Sequence, residues 1–178
     1  MKKTILISIS ALTILILIFW NDIRGYTTLE KAIKSQWKTP VEIVNYDKTN
    51  KLVIYRNQTQ YVFGVYRYKF GRYYYNNDIQ SSGWTASSES GPAFLVRAES
   101  KRDKGNFIWG ALYAETPIEK FLVEYKNMEL QEAKSINNTF ILKMPNTYEN
   151  VEGINLMTTF KNVKAYDKDN ILIRTWSD

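Results

Sequence analysis

The chain has 178 residues, 24 Lys and Arg against 18 Asp and Glu, a net charge of +6, and neither cysteine nor histidine. The missing cysteines exclude a disulfide framework and attachment through a lipid-modified cysteine, and the missing histidines exclude an imidazole base and any metal site built on His. Three of the basic and one of the acidic residues fall in the first 25 positions, so residues 26–178 carry net +4, a balance that favours anionic surfaces in general and does not select nucleic acid.

Lys2 and Lys3 precede an almost uninterrupted apolar run from Ile5 to Trp20. At a helical rise of about 1.5 Å per residue the run reaches about 24 Å, and carrying the helix through Asn21, Asp22 and Ile23 brings it near a hydrocarbon thickness of about 30 Å. With Trp20 at the far interface and the lysines on the cytoplasmic side, the pattern predicts a signal anchor over 1–25, with residues 5–23 in a lipid bilayer. A single extracytoplasmic domain over 26–178 follows, and the protein is expected to be a single-pass, N-in protein of the cell membrane. The rival reading is a cleaved signal peptide, for which Gly25 is the tolerable small residue before the cut but Ile23 at −3 is unsuitable.

A short amphipathic helix comes next. Thr27 and Glu30 have capping-box spacing, Leu29, Ile33 and Trp37 form one apolar stripe, and Pro40 ends the pattern. From there the period is that of strands: Val41–Tyr46 and Lys51–Tyr55 are joined by the turn-rich Asp47-Lys48-Thr49-Asn50, and Gln60–Phe70 places Tyr66, Tyr68 and Phe70 on one face and Arg67 and Lys69 on the other. Arg72-Tyr73-Tyr74-Tyr75 is followed by a Ser/Asn/Gly-rich stretch from Asn76 to Gly91 that reads as a loop interrupted by Trp84. Further strands are expected at 93–98, 106–113, 139–144, 154–160, 163–166 and 171–176. The segment from Thr116 to Tyr125 has helix-capping residues, but Phe121, Val123 and Tyr125 alternate, and strand is the preferred reading. The fold class expected is mainly β, an antiparallel sandwich or rolled sheet preceded by a transmembrane helix and a short amphipathic helix.

Several short stretches carry a resemblance: Pro40-Val41-Glu42-Ile43-Val44, Leu52-Val53-Ile54-Tyr55, Gly83-Trp84, Phe107-Ile108-Trp109-Gly110, Ile118–Val123 and Lys164–Lys168. Through them the chain resembles an uncharacterised family of small membrane-anchored or exported proteins from Gram-positive, Bacillus-like bacteria. The resemblance implies an exported β-rich domain and carries over no catalytic residue.

Tyr61, Phe63, Tyr66, Tyr68, Phe70, Tyr73, Tyr74 and Tyr75 concentrate rings in one segment, where core and cross-strand packing is their ordinary use. Three consecutive tyrosines on a regular strand cannot share one face, so at least one of Tyr73, Tyr74 and Tyr75 is expected to face out and, with Trp84 nearby in sequence, to offer a ring platform to a sugar face or a protein partner. The predicted ligand-binding residues are Tyr73, Tyr75 and Trp84 for stacking, with Lys69 and Arg72 for anionic groups. Catalytic signals are weak. Glu115 and Glu119 have the residue types of a glycosidase acid pair without readable separation, no Ser has a His base, and Ser35 to Lys38 matches Ser-x-x-Lys in the wrong context. Asp167, Asp169 and Asn170 lack the rest of a calcium loop, so no catalytic residue, metal or cofactor is expected. The expected role is a membrane-anchored cell-envelope binding or scaffolding protein that contacts a cell-wall polymer or a membrane-protein partner. A cell-wall glycan-processing enzyme using carboxylates and an accessory subunit of a membrane complex are the alternatives.

Overall fold

The computed structural model describes residues 13–14, 25–58, 60–76, 82–85 and 93–177. Apart from Thr13, Ile14 and Gly25, the expected anchor over 1–25 lies outside them. Among the described residues no helix is long and apolar enough to cross a membrane. The α-helix α1, Leu29–Lys34, has 6 residues and is about 9 Å long, against a hydrocarbon core of about 30 Å. The expected fold preceded by a transmembrane helix is therefore corrected to a multi-stranded antiparallel β fold with one short α-helix and two 3-10 turns in its described part. The single-pass, N-in placement in the cell membrane and the bilayer contact through 5–23 rested on that helix and are withdrawn with it.

Among the described residues three sheets form in place of one sandwich or roll. In the first, β1 (Val41–Asp47), β2 (Leu52–Asn57) and β3 (Gln60–Lys69) lie side by side, with β4 (Arg72–Tyr75) and β5 (Ser82–Thr85) pairing with the two ends of β3. In the second, β7 (Gly105–Leu112) lies between β6 (Phe94–Lys101) and β10 (Thr139–Lys143). The third has the order β12 (Leu172–Ser177), β11 (Phe160–Tyr166), β8 (Lys120–Tyr125), β9 (Leu130–Lys134). Every pairing among these strands is antiparallel.

The second sheet is the middle layer. Leu95, Phe107, Trp109 and Ala111 pack against Val44, Leu52, Ile54, Tyr61 and Phe63 of the first sheet. Residues of the other parity, among them Phe94, Val96, Ile108, Leu112, Phe140 and Leu142, pack against Phe121, Val123, Phe160 and Val163 of the third. A strand covered on both faces needs a continuous apolar run, which is what Phe107 to Leu112 supplies. Each fully buried side chain such as Phe107, Ile108 or Phe140 contributes roughly 1.5–3 kcal/mol. On the outer face of the first sheet, α1 lays Leu29, Ala32 and Ile33 against Val41, Val53, Tyr55 and Val62.

Two local expectations shift. The N-cap of α1 is Thr28, one residue later than Thr27; its Oγ1 accepts the Lys31 N–H at 3.2 Å, while Glu30 pairs with Lys34 at 2.6 Å. The strand expected at 154–160 is a 3-10 turn over Gly153–Thr159. Its apolar residues do not alternate: Leu156 is buried, Ile154 points into solvent, and Gly153 enters the turn at φ +60°.

Candidate binding cleft

The outer face of the first sheet carries the aromatic surface. Paired residues in an antiparallel ladder share a face, and the β3–β4 register sets Tyr66 opposite Tyr75 and Tyr68 opposite Tyr73. All four tyrosines therefore lie on the α1 side. Tyr46 joins them through a β-bulge. Ile43 pairs with Tyr55, the next pair is Asn45 with Ile54, and the extra residue changes the parity, so that Tyr46 rather than Asn45 points toward α1.

Beyond the edge of α1 these rings line an open cleft of about 410 Å³. It is lined by Tyr46, Tyr66, Tyr68 and Tyr73, by Leu29, Ile43 and Glu30, and by Lys48 and Lys51 of the β1–β2 turn. The ring centroids of Tyr68 and Tyr73 are 4.7 Å apart, and those of Tyr66 and Tyr73 are 6.0 Å apart. Tyr46 and Tyr68 are about half exposed, whereas Tyr66 is buried, and burial pushes its hydroxyl pKa up to about 12. Lys48 holds its ammonium 5.5 Å from the Tyr46 ring centroid. The Lys51 Nζ donates to the Lys48 carbonyl at 2.5 Å, and the Lys51 carbonyl accepts the Tyr66 N–H at 2.9 Å, so the turn is tied to β3.

The five predicted binding residues do not converge. Tyr73 lines the cleft and is fixed by reciprocal backbone hydrogen bonds with Tyr26, each 2.8 Å. Tyr75 is only 6% exposed: its ring fills the space above Gly64, and its hydroxyl lies 3.0 Å from that of Tyr55, which accepts the Trp37 Nε1–H at 2.9 Å. Trp84 pairs with Tyr61 and so belongs to the opposite face of the sheet, where it is 40% exposed with the Arg97 guanidinium 3.8 Å from its ring centroid. A platform joining Trp84 to Tyr73 and Tyr75 would need rings on both sides of one sheet. Lys69 is exposed at the end of the hairpin, and Arg72 lines a separate shallow depression with Lys31 and Lys34. Sequence parity had already grouped Tyr66 with Tyr68; Tyr46, Lys48 and Lys51 were missed because the bulge has no sequence signature as plain as a Gly.

The hairpin tip breaks a local rule. Lys69 pairs with Arg72, leaving Phe70 and Gly71 as a two-residue turn with φ of +51° and +73°. Asn-Gly is the usual solution for positive φ at both positions; here the first is a phenylalanine 98% exposed. Glu115 and Glu119, the candidate acid pair, are both exposed on the β7–β8 connection and outside the cleft lining. Among the described residues no group of three or more Asp or Glu is placed to hold a metal ion.

The chain matches no protein-family model, no curated protein and no solved structure. The resemblance to an exported Bacillus-like family thus finds no counterpart and is withdrawn. With the anchor and the family gone, the membrane-anchored envelope role, its cell-wall polymer and membrane-protein partners, and both its glycan-enzyme and accessory-subunit alternatives lose their basis.

Proposed function

We propose that the protein is a binding module that holds a small ligand in the cleft between α1 and the tyrosines of β1, β3 and β4. The observation that carries this reading is the convergence of four tyrosines and two lysines, drawn from three strands and a turn, on one concavity of about 410 Å³. That volume is within the range of about 300–1,000 Å³ typical of small-molecule sites, and aromatic side chains with a few polar groups among them are their usual lining. The Tyr66 hydroxyl, like that of any tyrosine, is protonated at neutral pH and can donate a hydrogen bond to an acceptor. Tyr73 is the residue of the predicted set that this reading retains as a ligand contact.

The test is an NMR screen of the whole chain with a set of small ring compounds. Ligands are expected to shift the backbone signals of Tyr46, Tyr66, Tyr68 and Tyr73, and Tyr68→Ala should weaken binding about three- to tenfold, the value of one aromatic contact of about 0.5–1.5 kcal/mol. Binding that shifts only signals remote from the cleft, or is indifferent to both Tyr68→Ala and Tyr46→Ala, rejects the reading.

A further inference from the structure

We infer that the ligand of this cleft is a ring-bearing anion: a compound whose ring rests on Tyr46, Tyr68 and Tyr73 while a phosphate, sulfate or carboxylate pairs with Lys48 and Lys51. The inference rests on the cleft being a binding site and adds the chemistry of what it binds. The face of a phenol ring carries the negative side of its quadrupole, which attracts C–H edges and electron-poor rings and repels an anion. An anionic group is therefore disfavoured over the faces of the rings. It is welcome at the β1–β2 turn, which contributes Lys48 and Lys51 to the lining.

Both lysines are fixed by the geometry of the turn. The Lys51 ammonium is tethered to the carbonyl of Lys48, and Lys51 itself takes φ of +57°, a conformation that a non-glycine residue rarely adopts. The nearby carboxylates are engaged elsewhere. Asp47 accepts from Thr49 N–H at 2.8 Å, Asn50 N–H at 3.0 Å and Asn50 Nδ2 at 2.6 Å, all within its own turn. Glu30, the carboxylate among the lining residues, is paired with Lys34 at 2.6 Å. The cleft thus combines an aromatic wall with two lysines at the β1–β2 turn, and a ring that carries an anionic group matches both.

A ring of this kind is found in aryl phosphates and in sugar phosphates alike, so the experiment uses both. Titrations of the full chain, followed by NMR, would compare phenyl phosphate and glucose 6-phosphate with phenol, glucose and inorganic phosphate. At least one ring phosphate is expected to bind at the cleft ten times more tightly than its neutral parent and than inorganic phosphate, and whichever prevails identifies the ring. The advantage should shrink severalfold in 0.5 M NaCl, where screening shortens the reach of the lysines, and should be lost in the exposed double variant Lys48→Gln/Lys51→Gln. Neutral rings that bind at the cleft as tightly as their phosphates overturn the inference and leave the binding module standing. Inorganic phosphate binding as tightly as either ring phosphate overturns the ring half. If none of the five probes shifts a cleft signal, the inference is rejected, while the binding module stands or falls separately with the wider ring screen.

Discussion

The most exacting test of the layered packing is Glu99→Gln, because Glu99 and Lys101 form an ion pair between the first and second sheets. Lys101 is 3% exposed; its Nζ lies 2.7 Å from Glu99 Oε2 and 4.6 Å from the centroid of Phe63. The other carboxylate oxygen accepts from Trp109 Nε1 at 2.8 Å and from Ser82 Oγ at 2.5 Å, so one side chain links β5, β6 and β7. The amide that replaces the carboxylate keeps an acceptor for Trp109 and Ser82 but turns an N–H toward the ammonium and removes its counter-charge. Breaking a buried pair from one side costs about 3–5 kcal/mol, and the residual solvent contact of Glu99 puts this case near the lower end. With about 2–4 °C lost per kcal/mol in a chain of this size, Tm should fall by about 6–12 °C. The measurement is urea and thermal unfolding followed by tryptophan fluorescence. Adding Lys101→Met to Glu99→Gln should recover part of the loss, because the buried charge that has lost its counter-charge is gone, along with its bond to the Phe63 carbonyl, while the amide still accepts from Trp109 and Ser82. A single variant within 0.5 kcal/mol of the parent, or a double variant no better than the single, would refute the burial of this pair.

Gly64→Ala should destabilise by about 1–3 kcal/mol, since the new Cβ would sit 2.5 Å from the Tyr75 hydroxyl, and Tyr75→Phe in the same chain should relieve part of the clash; paired urea curves decide it. Raising the pH should lower stability only above about pH 10. Burial raises the pKa of Tyr55, Tyr66 and Tyr125, so these groups keep their protons in the folded state while the unfolded chain releases its own, and folding loses ground as pH climbs through the unfolded value. A urea midpoint that is flat from pH 9 to 11 would contradict this. Phe70→Asn should stabilise the free protein by about 0.5–1 kcal/mol, because Asn accepts positive φ more readily and the exposed ring has little burial to lose; a loss of stability would show that Phe70 has packing partners in solution.

Much of the strand pattern was readable from the chain. The Asp47–Asn50 turn is held by the Asp47 side chain, and the alternation of Phe121, Val123 and Tyr125 correctly outweighed the helix-capping residues before it. The candidate site was far less legible, since faces are set by register and register is a long-range property. A bulge at residues 43–45 decides which face Tyr46 occupies, and the pairing of Trp84 with Tyr61 decides that it cannot join Tyr73. The serine- and glycine-rich surroundings of Trp84 gave no strand signal, and β9 escaped because Leu130-Gln131-Glu132-Ala133-Lys134 has no β-branched or aromatic residue and no apolar alternation.

The middle sheet shows why alternation can mislead even when the strand is found. Arg97, Glu99 and Lys101 alternate with Val96, Ala98 and Ser100, the pattern of a strand with one face in water. In a two-layer fold that reading would be right. Here the charged face of β6 turns toward the first sheet, and each charge has a specific partner at that interface: Arg97 stacks on Trp84, Glu99 takes the Trp109 and Ser82 donors, and Lys101 closes on Glu99 and on the carbonyl of Phe63. Burying charge in this way adds little net stability over an apolar pair, but it penalises misregistered pairings heavily, because a slip of one residue would drive all three charges into the packed interface with the third sheet. The row therefore fixes how β5 and β6 meet, and through β5 it fixes the first four residues of β3, the strand whose last four carry the tyrosines of the cleft.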